Sequence, residues 1–121
     1  MLPDHAVPPV LDRTALALLV ANDPVAEQRL LRSFRRAHSH DREALRVALD
    51  AREPQNIARA AHRIIGACRL AGAHALCRAC ERLLQAVDAA DWSEVTALRA
   101  VISSEQARLD DCLDVLIATA S

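Results

Sequence analysis

His62 is followed four residues later by Gly66 and is flanked by Arg59 and Arg69. The spacing predicts a helix over 54–71, on which these four residues share one side at roughly 100° per residue. Gln55 and Ala58 fall on that side too, and Ile65 falls on its shoulder. Ile57, Ala60, Ala61, Ile64, Ala67, Cys68 and Ala71 fall opposite and read as a core stripe. The wheel therefore excludes a core role for His62. A plain solvated histidine is the commonest reading of such a residue, but three neighbours argue against it. Glycine inside a helix costs about 0.5–1 kcal/mol relative to alanine. In an alanine-rich chain with only two glycines, Gly66 suggests a need for empty space beside the imidazole. The planar guanidinium groups of Arg59 and Arg69 suit phosphate oxygens. Ala58 and Ile65 offer an apolar rim. Together these fit a neutral, exposed imidazole that attacks a phosphoryl group carried by another protein.

Other clusters carry less. His74, Cys77 and Cys80 could suggest a metal, but on one helix they spread over roughly 240°, whereas a structural zinc site needs four converging ligands. Core thiols are the better reading, and no metal is expected. Cys77-x-x-Cys80 lies mid-helix, which does not suit a redox pair. With no export signal, the four cysteines read as reduced thiols in a cytoplasmic compartment. Arg29, Arg32, Arg35 and Arg36, with His38 and His40, read as a solvated face. Aromatics are nearly absent and the formal charge is −1, so nucleic acid is not expected. No Ser-His-Asp pattern and no phosphate-binding glycine loop is present.

These residues need a scaffold, and the composition points to helices. Of 121 residues, 52% are hydrophobic but only 2% aromatic. Alanine and leucine on that scale favour close helix packing over a β core. Five helices are expected, at 12–20, 24–51, 54–71, 73–89 and from Trp92 nearly to the C-terminus. Asp23-Pro24, Gly72 and Asp91-x-x-Glu94 supply start and stop signals. The tract His38-Ser39-His40-Asp41 holds no Gly or Pro, so the second helix is expected to run through it. The fold class is all-α: an antiparallel four-helix bundle with an additional short N-terminal helix. Residues 1–10 read as a flexible linker, 11–118 as one domain and 119–121 as a tail. No apolar run approaches the ~20 residues of a membrane span.

The run Ala61-His62-Arg63-Ile64-Ile65-Gly66, then five residues, then Gly72-Ala73, resembles the signature of histidine phosphotransfer (HPt) domains. Leu76, Cys80 and Leu83 resemble the family's next helix, and the Asn22-Asp23-Pro24 and Asp91-Trp92 turns resemble its turns. The similarity covers about residues 11–116. It implies a phosphorelay intermediate, not an enzyme with an ATP site. His62 would accept a phosphoryl group from a receiver-domain aspartate and pass it to a response-regulator aspartate. The receiver would supply the Mg²⁺, so no cofactor belongs to this chain. Receivers would dock on the second and third helices around His62, over Gln55, Ala58, Ile65 and Gly66, with the chain a monomer. Such domains stand alone or end a hybrid sensor kinase, and the proline-containing start resembles the linker before such a module. Two positions depart from the family. Ile65 stands where a Lys is usual, and Leu84 where a Glu is usual. Arg59 or Arg69 would then be the cation, and Glu81 or Gln85 would orient the ring. The alternative is a module that docks receivers without relaying.

Overall fold

In the computed structural model, which describes residues 10–119, the chain forms five helices. They are α1 (Arg13–Leu19), α2 (Pro24–Ala51), α3 (Pro54–Ala71), α4 (His74–Asp88) and α5 (Trp92–Thr119). The expected linker lies outside the described residues except for Val10, which is half-buried against the core. Of the expected tail, Thr119 still belongs to α5 and the rest lies outside the described residues.

Local chemistry explains the helix ends. Asp23 accepts hydrogen bonds from the Val25 and Ala26 N–H groups, at 2.9 and 3.3 Å, and Pro24 follows at a position that needs no donor. The helix ends at Arg52, which is left-handed at φ 52°. Pro54 likewise opens α3, and Gly72 at φ 69° closes it, with the Ala73 N–H reaching the Cys68 carbonyl at 2.9 Å. A side chain at Gly72 would collide with Asp12, whose N–H donates to the Ala71 carbonyl at 3.0 Å. That close approach seats α1 on the end of α3. Asp91 caps α5 through the Glu94 N–H at 3.1 Å. Glu94 returns no bond to Asp91, whose N–H donates to the Ala86 carbonyl at 2.9 Å, and its carboxylate meets Arg82 at 3.1 Å instead.

Helices α2 to α5 form an antiparallel bundle in which α3 packs between α2 and α4, and α4 between α3 and α5. Cross-links between α2 and α5 run in opposite chain directions, as antiparallel neighbours must: Asp50 to Arg99, Arg42 to Asp110, Arg35 to Asp114. The core is aliphatic, built around Leu31, Leu45, Ile57, Ile64, Leu83, Leu98, Ile102, Leu109 and Leu113. Cys68 and Cys80 lie in it, and burial pushes both thiols up to about 12. At one end Arg52 stacks over the Trp92 ring, 5.4 Å from its centroid.

The structure corrects one reading of α2. His38 was expected on a solvated face with the arginines, but it is 3% exposed. Its ring stacks on Phe34 at a 6.2 Å centroid separation, and its Nε2 lies 3.8 Å from Asp110 Oδ1. The helix passes through the polar tract because two of its four residues turn inward. Asp41 is also buried and meets Arg63 of α3 at 3.3 Å. Arg35 likewise turns toward α5, at 3.0 Å from Asp114 and 3.2 Å from Asp110. Arg29, Arg32, Arg36 and His40 are exposed as expected.

Candidate functional site

His62 sits near the middle of α3 and is exposed. Its core-facing counterparts Ile57, Ala60, Ala61, Ile64, Cys68 and Ala71 are all buried, which fixes the ring outward. Ala67, expected among them, is half-buried. Gln55, Arg59, Gly66 and Arg69 are exposed on the His62 side, and Ala58 is half-buried at its edge. No hydrogen bond or ion pair engages the imidazole among the described residues. A Cβ built at Gly66 would meet nothing within 4 Å, so the space beside the ring is open. Either nitrogen can approach an incoming group without breaking a bond.

Ile65 is the clear correction. It is 5% exposed and belongs to the core, so it forms no docking rim. At about 60° from His62 on the wheel its fate depends on the neighbouring helix, and the packing of α4 on α3 takes that flank. The exposed apolar residues near the site lie on the α2 side instead. Leu70 is 62% exposed and Val47 50%. The wheel alone could have found Leu70, which falls about 80° from His62, two turns on. Leu84, where the family has a Glu, packs half-buried against the core.

The cations differ in their freedom. Arg69 is drawn to Glu81 of α4 at 3.4 Å, and the same Glu81 oxygen accepts from the Cys77 thiol at 3.2 Å. Neither Glu81 nor Gln85 bonds His62. Arg63 is held by Asp41. Arg59 has only a long bond to Asn56 Oδ1, 3.4 Å, and lies one turn from His62. Beside it runs a groove of about 390 Å³ between α2 and α3, lined by His40, Val47, Glu53, Asn56, Arg59 and Arg63 among others. Sequence patterning could not show this groove, because it depends on how the two helices pair.

His74, Cys77 and Cys80 do not converge. His74 is exposed while both cysteines are buried, and no group of three His, Cys, Asp or Glu residues poised for a metal occurs among the described residues. Among the same residues no helix is long and apolar enough to cross a membrane.

A family model described as "Hpt domain" matches residues 29–119. No curated protein and no solved structure matches the chain.

Proposed function

The chain belongs to the Hpt domain family, whose members carry phosphoryl groups in phosphorelays and interact with receiver domains, and from that premise we propose that His62 is its phosphoryl acceptor. The observation that carries the proposal is an exposed imidazole without a partner, one turn from a glycine whose side is open. The other described histidines lack that setting. His38 is buried, His40 has no glycine near it on α2, and His74 begins α4.

In the proposed step a neutral imidazole nitrogen attacks the phosphorus of a receiver's aspartyl phosphate. A P–N bond forms as the P–O bond breaks, and the receiver's carboxylate leaves. The proton on the other ring nitrogen passes to solvent, leaving an uncharged ring that bears the anionic phosphoryl group. Attack by a second receiver's carboxylate reverses the step and hands the group on. Charge on the phosphoryl oxygens calls for a nearby cation. Arg59 is the better placed of the two candidates, and Arg69 would first have to leave Glu81. Receivers are proposed to supply the Mg²⁺ and to dock over α2 and α3, around Gln55, Ala58 and Gly66. Leu70 and Val47 take the apolar role that Ile65 cannot fill.

The test is transfer of labelled phosphoryl from a phosphorylated receiver to the chain. Acid-labile label is expected on the wild type, on His40→Gln and on His74→Gln, and is expected to be absent from His62→Gln. Tight receiver binding without label would favour the docking-only alternative, and label on His62→Gln would move the acceptor elsewhere.

A further inference from the structure

Nine of the fifteen arginines hold a carboxylate of this chain. Arg52 stacks on Trp92 and Arg59 touches Asn56. The remaining four, Arg29, Arg32, Arg36 and Arg78, have no ion-pair or hydrogen-bond partner among the described residues. Three of those four share the outer face of α2. Arg29, Arg36, His40 and Val47 lie within roughly 40° of one another on the wheel, and Arg32 lies beside them. His40 and Val47 line the groove that Arg59 and Arg63 share, so the stripe runs out of the groove next to His62 and along α2.

Nearby acids do not neutralise the stripe. Glu27 is held by Arg13, Asp41 by Arg63 and Glu43 by Arg46. Like charges three and four residues apart repel on a helix, so stacking Arg29, Arg32 and Arg36 weakens α2. A chain of net charge −1 could disperse these charges, yet three of the four unpaired arginines among the described residues lie on the side that borders the proposed acceptor. We propose that this stripe is a selectivity surface, which admits receivers whose docking face carries acidic side chains outside the Mg²⁺ site and disfavours those with neutral or basic ones there. The proposal rests on receiver docking around His62. Charges at the rim of an interface act chiefly on encounter rate and on choice of partner.

The test uses the full chain and a receiver that has acidic residues on its docking face outside the Mg²⁺ site, phosphorylated with acetyl phosphate. Transfer kcat/KM is measured for the wild type and for a triple variant, Arg29→Glu with Arg32→Glu and Arg36→Glu. At low salt the triple variant is expected to fall by about 10–100-fold, because steering charges change association on that scale. At about 1 M salt, where the Debye length is near 3 Å, the two should converge. A receiver whose docking-face acids outside its Mg²⁺ site are changed to lysine should reverse the ranking. Arg36→Glu should lose more than Arg78→Glu, an equal charge change on α4. The replaced arginines are exposed and unpartnered, so the helical circular dichroism signal should be unchanged. Equal kcat/KM for the wild type and the triple variant overturns the selectivity surface and leaves His62 as acceptor. Binding of a short DNA duplex that the triple variant loses, with receiver transfer unaltered, reassigns the stripe and overturns it too. Absence of label on the wild type from every receiver is a different failure, since it removes the docking on which the proposal rests.

Discussion

An alanine at position 66 would meet nothing within 4 Å, while glycine in a helix interior is less stable than alanine by about 0.5–1 kcal/mol. Gly66→Ala is therefore expected to stabilise the bundle by about that amount in urea unfolding, and also to slow phosphoryl transfer. Gly66→Leu should block transfer by covering the imidazole; undiminished transfer would remove the steric argument. Ile65 behaves oppositely. As a buried side chain, Ile65→Ala should cost about 2–5 kcal/mol in unfolding free energy, where a docking-rim residue would cost almost nothing. Arg59→Ala should slow transfer by roughly 10–100-fold, a hydrogen bond to a charged group being worth about 1.5–3 kcal/mol. Arg69→Ala should slow it less, and Arg99→Ala, whose partner is Asp50 on another face, not at all. His62 and Gly66 were readable because helical period alone decides that they point away from the core. Ile65 and Leu70 sit at intermediate angles, where the neighbouring helix decides, and a single-helix wheel holds no neighbour.

Element ends were readable wherever a side chain dictates the backbone. Pro24, Pro54, Gly72 and the caps at Asp23 and Asp91 mark boundaries that the structure keeps. Gly72 does two jobs, since it takes a left-handed turn and admits Asp12 against its bare Cα. Gly72→Ala should cost more than about 1 kcal/mol, the usual penalty for a left-handed residue with a Cβ, and should loosen α1 before the rest. Hydrogen exchange should show early loss of protection at Asp12, whose N–H bonds Ala71. Exchange at Asp12 as slow as in the wild type would refute this. The polar tract at 38–41 is continuous helix as expected, but His38, expected on a solvated face, is buried. Its inward turn depends on Asp110 and Arg63, which lie 72 and 22 residues away in sequence from His38 and Asp41 respectively.

Across the whole molecule, the seam between α2 and α5 is more polar than the rest of the core. Buried there, His38 is pushed below its ordinary pKa by desolvation, with Asp110 pulling the other way. The native state thus holds His38 neutral, while the unfolded chain takes up a proton near pH 6.5. Above that value neither state binds the proton and the full stability is present. As pH falls below it the unfolded state is protonated first, so stability declines through the folded pKa. Urea midpoints should drop between pH 7.5 and 5.5, and His38→Leu should flatten that slope. An equal slope in the variant would assign the effect elsewhere. The bundle and its helix count were legible in the pattern of apolar residues. Which polar faces would meet was not, because periodicity gives each helix a direction and no partner.

The stacking of Arg52 on Trp92 has a practical consequence. The chain has one tryptophan and no tyrosine, so nearly all its ultraviolet emission comes from one ring. That ring sits where the α2–α3 turn meets the start of α5, and its guanidinium neighbour departs when those segments part. The fold thus contains its own optical gauge. Opening of that junction can be timed by fluorescence in the unaltered protein, with no attached dye and no substitution near His62.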